Sequence, residues 1–168
     1  MKKIYPKNKE LFKRLIPFAK GIINLFQDKG TAPVIHGSFA HFYYTKDKNM
    51  KVNDIDIMIK RRYFFKIIKL LEKEKIKFKH YPQWGIIVIK KGKLIVEIDM
   101  PGGYERLNEK NFLTSTKKID FYEVKTRMIT LKQLEEIYLV AYNRSKDDKA
   151  KILKKIKHLE RFLGRKLR

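Results

Sequence analysis

The fold of this chain is decided by two short stretches of sequence, Val34–Ser38 (VIHGS) and Asn53–Ile59 (NDIDIMI). In the second stretch, Asp54 and Asp56 stand two residues apart within an apolar run. Side chains alternate between the two faces of a β-strand, so a strand here places both carboxylates on one face and the isoleucines on the other. Acids in such an apolar setting are rarely kept without a partner. The pair therefore indicates a divalent-metal site.

A Gly37-Ser38 turn precedes this acidic run. We expect a strand over residues 33–36 to pass there into a short helix over residues 38–44, which leaves free backbone N–H groups and a hydroxyl for phosphate oxygens. Mg²⁺ is usually held by one or two carboxylates together with substrate phosphates. The two stretches thus predict a nucleoside triphosphate bound at Gly37 and Ser38, with metal at the two aspartates. The alternative interpretation is that Gly37-Ser38 forms an ordinary turn and that Asp54 and Asp56 are solvent-facing strand residues.

The order of these features resembles the nucleotidyltransferase superfamily, which includes DNA polymerase beta and kanamycin nucleotidyltransferase. The resemblance covers residues 33–100. The spacer from Ser38 to Asp54 holds fifteen residues, a few more than compact members have, and we interpret its Lys-rich part, residues 45–51, as a surface loop. The resemblance implies transfer of a nucleoside monophosphate from a triphosphate to a hydroxyl. It also implies two Mg²⁺ ions as cofactors, or Mn²⁺ in their place.

A third carboxylate on a later strand is a further implication of this resemblance. Residues 93–100 offer Glu97 and Asp99, which share a face by the same alternation. Asp99 matches the family's apolar-Asp-apolar setting late in the strand, so the implied catalytic and metal-binding set is Asp54, Asp56 and Asp99, with Glu97 as the alternate. The alternative is that Glu97 and Asp99 lie on the solvent-exposed face of an antiparallel hairpin. We predict that His36 points away from the metals.

The C-terminal part carries a second resemblance. The stretch MITLKQL at residues 128–134, followed by Arg144-Ser145-Lys146-Asp147, is similar to the tail of small nucleotidyltransferases related to antibiotic-modifying enzymes and to toxins of toxin–antitoxin pairs. The match is partial, since Ala150 stands where a later Asp is usual. It implies that Arg144 and Lys146 bind triphosphate or acceptor phosphate, and it includes an antitoxin-like protein as a partner. The alternative is a helix cap in a basic protein.

Apolar periodicity predicts an α/β (α+β) chain with a mixed sheet and helices packed on one face. Residues 1–100 form the nucleotidyltransferase-like core with an N-terminal helix at 8–28. Residues 101–168 are expected to add a loop at 104–120, a strand at 121–129 and two C-terminal helices. These helices pack on the core, so the chain is one structural unit.

Net charge is the other strong feature of this sequence. The chain has 41 Lys and Arg against 18 Asp and Glu, a net charge of +23. Such a chain attracts polyanions, which favours RNA, and tRNA especially, as the acceptor. The alternatives are compositional drift, a protein or small-molecule acceptor, and a catalytically inactive module of the same fold that binds nucleic acid or a protein partner.

Composition also limits the chemistry and the location. The absence of cysteine excludes disulfides, thiolate catalysis and Cys-based zinc sites. No apolar segment reaches the length of a membrane span, and residues 1–6 lack a signal-peptide h-region. We therefore expect a cytoplasmic protein with no membrane partner.

Overall fold

A seven-stranded mixed β-sheet organises the part of the chain that the structure describes, residues 4–100, 113–145 and 147–167 of a computed structural model. The strands lie in the order β3-β4-β5-β2-β1-β7-β6. In chain order they are β1 (Val34–His36), β2 (Ile55–Met58), β3 (Phe78–Tyr81), β4 (Ile86–Lys91), β5 (Leu94–Asp99), β6 (Lys117–Phe121) and β7 (Val124–Met128). The predicted α/β class with a mixed sheet is confirmed.

Five α-helices accompany the sheet within the described residues. They are α1 (Lys9–Gln27), α2 (Gly37–Thr45), α3 (Phe64–Lys73), α4 (Leu131–Arg144) and α5 (Lys149–Leu163), with a 3₁₀ turn at Arg61–Tyr63 before α3. Thr130 starts α4 through a capping box, in which its side chain and that of Gln133 each satisfy the other's backbone N–H. None of the described helices is long and apolar enough to cross a membrane.

Strand pairing decides which side chains share a face at the centre of the sheet. β1 runs antiparallel to β2, and β5 runs parallel to β2. Because paired residues project to the same side, the isoleucines that flank Asp56 on β2 lie on the same face as Ile35, Val96 and Ile98, all of them fully buried. The polar residues of these strands project together to the opposite face.

The C-terminal half of the chain completes this sheet. β7 pairs parallel with β1, and β6 pairs antiparallel with β7. The prediction of a loop over residues 104–120 is wrong for residues 117–120, which belong to β6; residues 104–112 lie outside the described part of the chain. Ile119 and Phe121 are buried on this strand, but the strand is short and begins with two lysines, so its alternation is weak in the sequence.

A partly buried polar relay fastens α5 to α2. Tyr138 Oη lies 2.9 Å from His41 Nδ1, and His41 Nε2 lies 2.8 Å from His158 Nδ1. His158 Nε2 then lies 2.8 Å from the Asp47 carboxylate. If both imidazoles are neutral, Tyr138 donates to His41, His41 to His158 and His158 to Asp47, so each ring uses one donor and one acceptor. Burial lowers the pKa of His41 to about 3, and the neighbouring His158 and Lys155 contribute to this shift.

We expect this relay to make the protein sensitive to mild acid. The His41 pKa falls from an ordinary 6.5 in the unfolded chain to about 3 in the folded one, so between these values the unfolded state binds the proton and acidification favours unfolding. Glutamine at position 41 cannot titrate. The free energy of unfolding of wild type, minus that of His41→Gln, should therefore fall by about 2 kcal/mol between pH 7 and pH 5. Urea titrations at both pH values measure it, and a difference independent of pH contradicts the interpretation.

Candidate active site

Gly37 allows a carboxylate to approach the turn between β1 and α2. Its φ is +61°, a conformation that L side chains rarely adopt. A Cβ atom at this position would overlap the carboxylate of Asp56. Glycine is therefore required at position 37 for two physical reasons, the positive φ and the close approach of the Asp56 carboxylate. Asp56 is one of the acids that the sequence singled out. The Gly-Ser turn and the acidic strand meet in space.

Ser38 joins the turn to both predicted aspartates. Its backbone N–H lies 3.3 Å from Asp56 Oδ2, and its hydroxyl donates to Asp54 Oδ1 at 3.0 Å. Asp54 stands just before β2, and Asp56 is within it. Ser38 is in the first turn of α2, and the N-cap position of that helix, His36, makes no side-chain capping bond. The Ser38 donors at this helix N-terminus are thus bonded to the two acids, and a helix N-terminus is also the kind of site that binds phosphate.

The strand register places the two later acids differently with respect to this pair. Glu97 on β5 is the direct partner of Asp56 on β2, whereas Asp99 is the partner of Met58. Since parallel partners project to the same side, Glu97 and Asp99 share the face of Asp56. Glu97 lies level with the end of β2 that faces the Gly-Ser turn. Asp99 lies two residues further along β5, away from that turn.

His36 belongs to this site, and the prediction that it points away from the acids is wrong. It is the antiparallel partner of Asp56, and its Nε2 lies 3.2 Å from Asp99 Oδ1. Both atoms are buried, and within the described residues neither has another hydrogen-bond partner. The sequence places His36 beside the motif, but its orientation depends on the pairing of β1 with β2, which local periodicity does not reveal.

The electrostatics of the site are those of a partly buried acid cluster with one internal cation. Burial alone would lower the pKa of His36, but Asp99 most strongly, followed by Asp56 and Glu97, raise it to about 9, so the imidazole is charged at neutral pH. Burial raises the pKa of Asp56 to about 7; His36 opposes this shift, and Asp54 and Glu97 add to it. Burial, then Asp99 and Asp54, also raise the pKa of Glu97.

These residues fit a divalent cation by their chemistry. Asp56, Glu97 and Asp99 share one face of the sheet, Ser38 links Asp54 to Asp56, and His36 is the one basic side chain among them. Hard oxygen donors of this kind are the ligands that Mg²⁺ takes. Among the described residues, no three His, Asp or Glu side chains are already close enough to form a complete metal-binding group. The donor set is therefore suitable, and a metal with a substrate phosphate would complete it.

The predicted phosphate-binding residues of the tail are only partly described. Arg144 is the last residue of α4, which begins beside β1 because Ile129 N–H donates to the Ile35 carbonyl. Because α4 is fourteen residues long, Arg144 lies ~20 Å along the helix from that point. Lys146 lies outside the described residues. The role of both residues in binding nucleotide stays a prediction.

Comparison with known proteins places this geometry in a known fold. No protein-family model and no curated protein matches the chain. Among solved structures, it is similar to an antigenic nucleotidyltransferase-like protein from Paracoccidioides brasiliensis, with 16% identity over 92% of this chain and 77% of that one and a TM-score of 0.58. The antibiotic-resistance factor ANT(2'')-Ia gives 11% identity, coverage of 90% and 85%, and a TM-score of 0.62.

A third similar structure is the lincosamide antibiotic adenylyltransferase LnuA bound to lincomycin, with 16% identity, coverage of 92% of this chain and 98% of that one, and a TM-score of 0.52. At these identities the likeness establishes the fold. It confirms, at that level, the resemblance found in the sequence.

Proposed function

We propose that this chain, which has the nucleotidyltransferase fold, is a metal-dependent nucleotidyltransferase that moves a nucleoside monophosphate from a nucleoside triphosphate to a hydroxyl. One observation carries the proposal: Ser38 contacts Asp54 and Asp56 at the N-terminus of α2. Phosphate-binding donors and metal-binding acceptors therefore meet at one point. A triphosphate bound there presents its α-phosphate to the acids.

The residues divide the work of the reaction. Gly37 and Ser38 would hold the triphosphate through backbone N–H groups and the hydroxyl, and Asp54 and Asp56 would hold the metal. When bound, two Mg²⁺ ions supply the charge that activates the attacking hydroxyl and neutralises the departing pyrophosphate. The acceptor oxygen bonds to the α-phosphorus, the bond from that phosphorus to the bridging oxygen breaks, and the proton of the hydroxyl passes to the acid cluster.

The third metal-binding carboxylate is Asp99 or Glu97. The strand register supports Glu97, because it is the direct neighbour of Asp56. Asp99 lies 3.2 Å from His36, and that contact occupies one of its oxygens with a cation. In this arrangement Asp99 fixes His36 and balances its charge, and Glu97 is the carboxylate that would hold the metal.

RNA, and tRNA in particular, is the acceptor that we propose, on the evidence of the net charge of +23. Electrostatic attraction to a phosphate backbone needs no separate recognition domain, and RNA is often recognised by its shape. A small-molecule or protein hydroxyl is the alternative within the same chemistry.

A thermal-shift panel tests the nucleotide site. Each of the four nucleoside triphosphates is added with Mg²⁺ at about one hundred times its dissociation constant, a concentration that stabilises a protein by about 2.7 kcal/mol. For a chain of this size, we expect the melting temperature to rise by about 5 to 10 °C with the preferred triphosphate. The matched control is the double variant Asp54→Asn, Asp56→Asn, which should show no shift.

Two further conditions make the thermal-shift result specific. Chelation of the metal should remove the shift, and the corresponding nucleoside, which lacks phosphates, should not produce it. If no triphosphate stabilises the wild-type protein under any of these conditions, the fold serves a binding module and the proposed activity is wrong.

A further inference from the structure

The outer face of α5 carries positive charge that the proposed catalytic site does not use. Residues 149–166 contain eight Lys and Arg and one Glu. Lys154, Lys157 and Arg161 follow one another at spacings of three and four residues, so they line one helix face, and all three are exposed. We refer to these three residues as the α5 stripe.

Within the described residues, the positive charges of the α5 stripe are not neutralised by ion pairs. No carboxylate of the described residues forms an ion pair with Lys154, Lys157 or Arg161. Nearby charges are used elsewhere: Arg165 makes a two-oxygen ion pair with Glu135, and Glu160 accepts the backbone N–H of Leu167. Like charges at these spacings destabilise a helix. The stripe therefore opposes helix stability, and a bound anion would compensate for it.

A groove accompanies the α5 stripe. It has a volume of about 990 Å³ and is lined by all three stripe residues together with His158, Glu160, Gly164, Arg165 and Lys166. Five of its lining side chains are Lys or Arg and one is Glu. A positively charged groove is the feature with which proteins follow the backbone of a single-stranded nucleic acid.

The apolar side of α5 argues against a lipid surface as the partner. An amphipathic helix binds a membrane by inserting its apolar face. Here Ile156 and Leu159 are already buried within the protein core, and the relay through His158 holds the helix in place. The charged face is what remains accessible, and it suits a backbone of phosphates.

The position of α5 suits an RNA whose end reaches the catalytic site. His158 contacts Asp47, two residues after the end of α2, and α2 begins at Gly37. Nine helical residues span ~13 Å. α5 therefore contacts the chain just beyond the end of α2 that lies opposite the Gly-Ser turn.

We propose that the α5 stripe, Lys154, Lys157 and Arg161, binds the phosphate backbone of the RNA acceptor and delivers its end to the site at Gly37 and Asp56. This inference rests on the proposed function for the identity of the reacting end. The binding surface itself makes a separate claim. It can be tested without turnover.

The test is a fluorescence-anisotropy titration of a labelled, unstructured 20-nucleotide RNA and of a tRNA over a range of salt concentrations. The stripe variant is Lys154→Gln, Lys157→Gln, Arg161→Gln. The matched control is Lys69→Gln, Lys73→Gln, Lys79→Gln, which removes the same charge from exposed positions on α3 and β3. We expect the stripe variant to bind at least about tenfold more weakly. Its slope of log affinity against log salt should be smaller by about 2, since each lost phosphate contact on a single strand contributes about 0.7.

Three results would overturn the proposal. The stripe and control variants could lose affinity equally, which would assign binding to overall charge. Wild-type protein could fail to bind either RNA at low salt. Vesicles with anionic lipid, or an acidic peptide, could compete for the stripe more strongly than RNA, which would assign it to another class of partner.

Two measurements separate this proposal from folding and from the catalytic proposal. The triphosphate-induced thermal shift should persist in the stripe variant. If RNA binding depends on the stripe but no triphosphate shifts the melting temperature of the wild-type protein, the RNA-binding proposal stands and the proposed enzymatic function is wrong. Lysine acylation of the wild-type protein, mapped by mass spectrometry, needs no variant. Saturating RNA should protect Lys154 and Lys157 and leave Lys69 and Lys73 reactive, and equal labelling of all four contradicts the proposal.

Discussion

We expect the Asp56→Asn variant to lose about a thousandfold in nucleotidyl transfer while keeping its fold. A bound metal stabilises the transition state by several kcal/mol, and each 1.36 kcal/mol is a factor of ten in rate. Asparagine retains the shape of the side chain and an oxygen for the Ser38 N–H, which lies 3.3 Å from Asp56 Oδ2. It removes a carboxyl group whose charged form is disfavoured by burial. The variant should therefore melt at the wild-type temperature or above it.

The control for this variant is Asp120→Asn, the same chemical change at an exposed position on β6, which should leave transfer unchanged. Two further variants assign the third carboxylate. If Glu97 faces the metal, Glu97→Gln loses activity on the scale of Asp56→Asn, and Asp99→Asn retains more. The reverse order supports Asp99. Near-normal transfer by Asp56→Asn itself would contradict the assignment of the site.

The second large effect concerns Gly37. We expect Gly37→Ala to reduce transfer by about a hundredfold, because the new Cβ would overlap the Asp56 carboxylate and displace it, and a misplacement of about 1 Å in a catalytic group costs about that much. Alanine in the left-handed region also costs about 1 to 2 kcal/mol of stability. The crowding should add about 2 kcal/mol to that loss.

Gly92→Ala separates backbone strain from crowding at Gly37. Gly92 has φ +60°, almost the value of Gly37, and a Cβ atom there would meet no atom within 4 Å. It lies in the turn between β4 and β5. This control should lose stability from strain alone and keep its activity. Equal losses of activity and stability in the two variants would show that the contact with Asp56 has no functional role.

Local sequence rules were sufficient to predict that the Gly-Ser turn lies near Asp54 and Asp56. Alternation along a strand predicted that Asp54 and Asp56 share a face, and the glycine before Ser38 predicted the turn; the structure brings these residues together through Ser38. Both rules act over a few residues. They can therefore be applied to a single sequence.

Contacts between distant segments were not predictable in the same way. Glu97 and Asp99 are equivalent by alternation, and the register of β5 against β2 distinguishes them. The orientation of His36 toward Asp99 depends on two strand pairings. The relay between His41 and His158 joins residues 117 apart. No periodicity in the sequence encodes such a partner.

The excess positive charge was predicted to favour RNA, but the sequence disperses it along the whole chain. Folding arranges part of it: the stripe of α5 aligns three cations on one exposed face, while Arg165 and Lys20 form ion pairs with Glu135 and Glu123. Among the described residues, the folded structure thus distinguishes the positive charges that the protein itself neutralises from those that are accessible to a binding partner.

The most direct test of the central claim follows the label of a nucleoside triphosphate into an acceptor. The preferred triphosphate, labelled at either the α- or the γ-phosphorus, is incubated with Mg²⁺ and a panel of tRNA, short RNA, protein and small-molecule hydroxyls. We predict that α-label enters one acceptor, γ-label leaves as pyrophosphate, and the double variant Asp54→Asn, Asp56→Asn transfers neither. Transfer of the γ-label, or binding of the triphosphate with no α-label in any acceptor, would contradict nucleotidyl transfer by this chain.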